Sequence, residues 1–421
     1  MNRRGEFTPT GRAGTRPRGA SPSAARRGLP AALRRAVHAA RRAADSVAVF
    51  EDAVPPLARA LPFDLWAGVL LDPVTLLNVG GSFRHGVGAE WMPRMLDIEY
   101  RVGDANQMPH LSRMSTPVGS LASELDGRLD RSVRYRDIYR PQGLADEMRV
   151  LLRDAGRVWG ALVLVRAADR PPFSPAELEL GAALSGALGR ALRRSLAAPT
   201  DPADGPTAGP AGGPATGPVG GPATGPVGGS VGGSVGGLLA GPAAVGPSAL
   251  TLLSEEYAVL SQSPGAEARY GELAEARAHG TGLPASAYSV AAATLRSESG
   301  GSRVCVPTLD GGLAAIEGWR LDTADGTRVA LTVGPAVPSD RIAALIHAYG
   351  LTPRECEVLA HVLRGSPTAE IADRLALSPY TVQDHLKAVF DKTGVRSRKE
   401  LAGRLFFRHY LPGPAAPDRP R

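Results

Sequence analysis

Gln383, Asp384 and Lys387 stand on one side of a stretch whose other side carries Val382, Leu386, Val389 and Phe390. That spacing predicts an amphipathic helix on which the three polar side chains project together, since residues three and four apart share a face. Their chemistry suits base edges. A glutamine amide matches N6 and N7 of adenine, a lysine ammonium donates to O6 and N7 of guanine, and a carboxylate accepts from N4 of cytosine. Lysine is scarce: the 48 Lys and Arg residues include only Lys387, Lys392 and Lys399. With no lysine before residue 387, a GxxxxGK[ST] phosphate loop and a Schiff-base lysine are excluded upstream.

Four consecutive helix patterns must position these residues. Thr352-Pro353-Arg354-Glu355 is a capping box with proline at the first helical position, followed by Val358, Leu359, Val362, Leu363 and a closing Gly365. A second helix is expected from Thr368 to Leu375, with Ile371, Ala372 and Leu375 inward. Ser378-Pro379 starts the third, and Gly394 suits its left-handed C-cap. Ser397-Arg398-Lys399-Glu400 opens the fourth, with Leu401, Leu405 and Phe406 behind it. A turn of a few residues between helices two and three is what a helix-turn-helix requires.

Leu351-Thr-Pro-Arg-Glu-Cys-Glu-Val-Leu, Glu370-Ile-Ala-Asp-Arg-Leu, Thr381-Val-Gln-Asp-His-Leu-Lys and Gly394-Val-Arg-Ser-Arg together resemble the LuxR-type (GerE-type) DNA-binding domain. The resemblance covers about sixty residues and implies a four-helix fold whose third helix enters the major groove of double-stranded DNA, with homodimerisation commonly supported by the fourth. It places Gln383, Asp384 and Lys387 at bases and Thr381, Lys392, Arg396, Arg398 and Lys399 at phosphates, which position the protein without specifying sequence. The chain departs from the family pattern at Pro367, where a Ser or Thr cap is usual, and at Ala376, often glycine. A left-handed Ala376 would cost roughly 1 kcal/mol.

Charge gives this reading no support. Net charge is +7, but residues 1 to 50 hold eleven Arg against Glu6 and Asp45, so the rest of the chain sums to −2. Most of that basicity belongs to an Arg-rich arm, residues 1–29, which holds seven of the eleven Arg and whose composition predicts a disordered tail. Residues 198–247 are a Gly/Pro/Ala linker with GPATGPVG twice and GGSV twice. Gly228-Gly-Ser230-Val-Gly232 matches GxSxG there, but low-complexity coil supplies neither the strand nor the helix of a nucleophile elbow. Cys305 and Cys356 fall in different predicted domains, so neither a disulfide framework nor a zinc site is expected. No apolar run approaches spanning length, and the N-terminus lacks a signal-peptide core, so no membrane contact and a cytoplasmic location are expected.

Between arm and linker, residues 30–197 are expected to form one α+β domain. A long helix pattern runs from Pro30 to Leu61, followed by strands at Leu65–Leu71 and Leu76–Phe83. A hairpin follows with Glu147–Arg153 and Trp159–Val165 about an Asp154-Ala-Gly156 turn, and a closing helix starts at the Ser174–Glu177 capping box. This element order resembles a GAF-type sensor, which implies small-molecule binding or dimerisation. Trp66, His85, Trp91, Tyr100, His110 and Trp159 are pocket candidates, though buried Trp and Tyr are more often core with a satisfied polar handle. No metal ligand set and no cofactor motif is found. Residues 248–338 show three antiparallel strands after a helical segment, similar to a PAS-type module. A helix in 339–350 would couple that module to the helix-turn-helix domain at 351–411, and 412–421 form a tail.

The fold expected is thus multidomain: a GAF-like α+β sensor, a small PAS-like α+β module, and an all-α four-helix domain of LuxR type. The function expected is that of a one-component transcriptional regulator, not an enzyme, answering an unidentified small-molecule effector or partner, with RNA polymerase among its admissible partners. The alternative is an interaction protein such as an anti-activator, whose last domain binds another regulator, since Asp384 and Asp391 soften the positive field of the third helix.

Overall fold

The computed structural model describes residues 30–197, 248–275 and 282–407. The Arg-rich arm, the Gly/Pro/Ala linker with its Gly228–Gly232 pattern, and the chain from 408 onward lie outside the described residues.

The expected helix from Pro30 to Leu61 is in fact two, α1 (Ala31–Arg42) and α2 (Ser46–Ala53). Asp45 interrupts the pattern by capping α2, its carboxylate accepting from the Ala48 amide at 2.8 Å. Pro55-Pro56 then turns the chain into a short 3-10 segment, because proline cannot continue an α-helix. There follow β1 (Leu65–Leu71), β2 (Asn78–Ser82), α3 (Met92–Asp97) running into a π-helical turn at Ile98–Val102, and α4 (Met108–Arg113). The unit is completed by β3 (Val118–Ser120), α5 (Leu121–Glu124), β4 (Leu144–Asp154), β5 (Arg157–Ala167) and α6 (Pro175–Ala197).

The five strands form one antiparallel sheet of order β2-β1-β5-β4-β3. Its central hairpin turns at Ala155 and Gly156, both with positive φ, the backbone of a turn that matches strand twist. The Ser174–Glu177 box opens α6: the Ser174 amide donates to Glu177 Oε2 at 2.8 Å and the Glu177 amide to Ser174 Oγ at 3.4 Å. α6 packs along β4, and the ring of Phe50 from α2 lies where a side chain at Gly68 would stand.

The second unit contains β6 (Ala249–Ser254), β7 (Val259–Gln262), α7 (Ala266–Gly271), α8 (Ala285–Arg296), β8 (Gly301–Pro307), β9 (Leu313–Thr323) and β10 (Gly326–Pro335). Here the expected three strands become five, in the order β7-β6-β10-β9-β8. β7 is an edge strand exposed at every residue, so it carries no in–out alternation by which to recognise it. The strand order repeats that of the first sheet. α8 also packs against the first unit, where Ser289 Oγ donates to the Asn78 carbonyl at 2.8 Å and Tyr257 Oη donates to Asp97 Oδ1 at 2.7 Å. The two units share one continuous buried core.

α9 (Pro338–Ala348) leads into α10 (Pro353–Leu363), α11 (Thr368–Leu375), α12 (Pro379–Thr393) and α13 (Arg398–Phe407). These helices hold a separate core around Leu351, Val358, Leu359, Ile371, Val382 and Val389. Each such side chain contributes roughly 1.5–3 kcal/mol through burial. The C-terminus of α9 is tied to the first unit by Arg193, whose Nη1 donates to the Ala348 carbonyl and whose Nε donates to Asp154 Oδ2, each at 2.7 Å.

Candidate nucleic-acid interface and sensor cavity

The local signals of the last domain translate directly into geometry. Thr352 and Glu355 form a complete capping box on α10, and Ser378 Oγ accepts from the Thr381 amide at 3.1 Å to start α12. Ala376 adopts the left-handed conformation at φ 52° and ψ 48°, where the family often has glycine. Pro367 offers α11 no side-chain cap. Arg398 reaches back to the entry of the helix, donating to the Ser366 carbonyl at 2.9 Å and to Thr368 Oγ1 at 2.8 Å. Ile371, Ala372, Val382, Leu386 and Val389 are buried, and Leu375 packs half-buried against them.

With that face inward, Gln383, Asp384 and Lys387 are exposed on the opposite side of α12. Tyr380 joins them three residues before Gln383 and is 73% exposed, the most exposed of the large apolar side chains described. The signal for it in the sequence is a tyrosine in the first turn of the outward helix. Thr381 is half-buried, its hydroxyl 2.8 Å from Ser378 Oγ, while Arg396 and Lys399 are exposed beyond the C-terminus of α12.

Two residues expected at phosphates also have partners within the fold. Lys392 Nζ lies 2.6 Å from Glu355 Oε2 and 2.9 Å from Oε1, joining the last turn of α12 to the first turn of α10. Burial alone would raise the Glu355 carboxyl, but Lys392 and the Thr352 amide outweigh it and hold it below the ordinary carboxylate range. Arg398 ties the start of α13 to the entry of α11 through the Ser366 carbonyl and the Thr368 hydroxyl.

A second site lies in the first unit. β1, β5, α3 and the π-helical turn surround a cavity, partly open to solvent, with a wall that includes Trp66, Phe83, Met92, Met95, Tyr100 and Met108. At one side stand Glu99, Tyr139, Glu147 and Arg149, backed by Arg134. Arg134 bridges Glu99 at 3.0 Å and Glu147 at 2.8 Å; Arg149 bridges the same pair at 2.6 and 2.7 Å. None of these four side chains is more than 3% exposed. Tyr139 donates its hydroxyl to Glu147. Burial would raise Glu147, yet the two guanidiniums hold it below its ordinary value. Burial, reinforced by Glu147, pushes the Tyr139 phenol well up.

Of the aromatic candidates, Trp66 and Tyr100 line this cavity. His85 stacks on Trp66 with ring centroids 4.7 Å apart and sits 3.6 Å from Glu51. Trp91 packs at the edge of the core. Trp159 is core, its indole donating to the Asp154 carbonyl at 3.0 Å, and His110 is exposed on α4. The charged ring escaped the sequence reading, although Glu147 and Arg149, two apart in an apolar strand, must share a face.

A short helix, α11, a three-residue turn and the outward polar helix α12 define a helix-turn-helix module. Residues 350–405 match the family described as bacterial regulatory proteins, luxR family, and residues 29–192 match the GAF domain. The chain thus carries a LuxR-family helix-turn-helix domain behind a GAF domain. It is also similar to the transcriptional regulatory protein ComA of Bacillus subtilis (strain 168), 46% identical over 50 residues. That likeness spans 12% of this chain and only 23% of ComA. Among solved structures, the Vibrio cholerae VqmA dimer without target DNA is 16% identical, covering 38% of this chain and 82% of that one at a TM-score of 0.17. A phage VqmA–DPO complex is 15% identical, covering 39% and 84% at 0.21.

Proposed function

We propose that the chain is a one-component transcriptional regulator that binds double-stranded DNA through α12 and answers a small molecule in the cavity of its GAF domain. The observation that carries the reading is the exposed stripe Tyr380, Gln383, Asp384 and Lys387 on the outward helix of a LuxR-family domain. The first turns of such a helix face base edges in the major groove. Gln383, Asp384 and Lys387 discriminate bases, Tyr380 sits where the groove is entered, and Thr381, Arg396 and Lys399 neutralise phosphates. Lys392 and Arg398 act on the fold that presents them.

The chain regulates and does not catalyse. It acts in the cytoplasm as a homodimer, so its operator contains two half-sites, and RNA polymerase is the further partner that this reading admits. Among the described residues no helix is long and apolar enough to cross a membrane. Coupling between cavity and DNA helix is supported by contiguity. Asn78 lines the cavity and accepts from Ser289 of α8, and Arg193 ties α6 to the end of α9, directly before the helix-turn-helix.

The test is repeated selection of a random double-stranded DNA pool by the full-length protein. Enrichment of a two-fold symmetric sequence supports the reading; a pool that stays random contradicts it and favours the interaction-protein alternative.

A further inference from the structure

Glu99, Arg134, Glu147 and Arg149 form a closed ring in which each carboxylate meets two guanidiniums and each guanidinium two carboxylates. Two positive and two negative charges cancel. The ring is buried and its charges are met from within it, although Arg134 Nε and Arg149 Nε find no hydrogen-bond acceptor of good geometry among the described residues. Glu99 Oε1 is further engaged by the Met108 amide at 2.8 Å, and Glu147 by Asn106 Nδ2 at 3.3 Å. Tyr139 commits its proton to Glu147, which leaves its oxygen only as an acceptor. The side of the cavity on which polar recognition depends thus has no spare charge to offer.

The rest of the wall is apolar and adaptable. Trp66, Phe83 and Tyr100 supply aromatic surface, and Met92, Met95 and Met108 supply flexible thioethers that pack well against rings. An ionised ligand would leave water without a countercharge to meet it, and burial of an unpaired charge is strongly disfavoured. Breaking into the ring to find one would strand a buried partner. An uncharged ring system with at most one donor meets neither cost.

We propose that this cavity takes an uncharged, predominantly apolar small molecule and rejects ionised ones. The inference rests on the reading of the cavity as the effector site. It also distinguishes this GAF domain from one built to hold an anion, which would leave a guanidinium free of carboxylates.

The test uses the full-length protein and three probes with the same ring: indole, indole-3-carboxylate and tryptamine, compared by thermal shift and by calorimetric titration at neutral pH. Indole should raise the melting temperature saturably, with each charged relative bound roughly 100-fold more weakly or not at all. Ala67→Leu and Val163→Ile each intrude on the cavity wall and should each weaken indole binding. Equal or tighter binding of either charged probe overturns the ligand class while leaving the cavity an effector site. Binding of none of the three, or indole binding that both variants leave unchanged, overturns the cavity as a site and the class with it.

Discussion

Lys392, in the last turn of the outward helix, forms an ion pair with Glu355, the buried carboxylate that also completes the capping box of the first helix of the domain. One charged contact thus sets the position of α12 against α10. Lys392 itself stays exposed at the end of the helix.

Lys392→Ala should therefore act on folding. It leaves a largely buried carboxylate with its cap hydrogen bonds but no countercharge, at a cost of about 1–2 kcal/mol. Chemical denaturation of the last domain should show that loss, while the salt dependence of DNA binding stays as in the parent protein. A reduced salt slope with unchanged stability would return Lys392 to the phosphates.

The exposed stripe on α12 leads to a prediction about specificity. Asp384→Asn replaces an acceptor-only group with one that also donates, so it should relax the choice of base at one position per half-site by about 1–3 kcal/mol. Tyr380→Ala should lower affinity while Tyr380→Phe retains it if the ring makes an apolar contact. Competition among single-base variants of the selected sequence measures both, and identical profiles for parent and Asp384→Asn would remove Asp384 from the base-reading set.

Glu275 gives the middle unit a pH dependence. It is buried against Gly80 of β2, and its carboxyl is pushed up to about 7 by burial, against the pull of the Ser286 hydroxyl and amide at the start of α8. A carboxyl with a raised folded-state value contributes stability that is fully present below its unfolded value, near 4.5, and lost as pH rises through 7. The loss amounts to about 3 kcal/mol. Glu275→Gln should flatten that part of a urea-melt series from pH 4.5 to 8 and stabilise the protein at the alkaline end. An unchanged slope would show that the carboxylate is charged and compensated in the fold.

Arg193 links the sensor to the helix that precedes the DNA-binding domain. Arg193→Ala removes both the donor to Ala348 and the nearer of two arginine partners of Asp154, so amide exchange at the end of α9 should accelerate several-fold while α12 keeps its protection. Unchanged exchange at residues 345–350 would rule out this tether.

What could be foreseen from the sequence follows from the range of the interactions. The helix-turn-helix was legible because caps, turns and apolar spacing act within a few residues: Thr352 finds Glu355, and Ser378 finds Thr381. Even the left-handed Ala376 could be anticipated from its place before the turn. The charged ring was not, because Glu99, Arg134 and Glu147 come from three segments that only the fold brings together. β7 was hidden by its exposure. The Lys392–Glu355 pair was hidden for the same reason as the ring: a lysine on a helix carries no mark of which neighbour it will meet, and this partner lies thirty-seven residues away on α10.

The central claim is that α12 reads DNA, and the direct measurement is the affinity of the full-length protein for its selected sequence between 50 and 200 mM salt. Parent binding should weaken steeply, with a log–log slope of several units from released counterions. Lys387→Ala and Gln383→Ala should lose about 1–3 kcal/mol for that sequence while binding unrelated DNA nearly as the parent does. Parent-like affinity and specificity in both variants, or binding of no DNA at any salt, would contradict it.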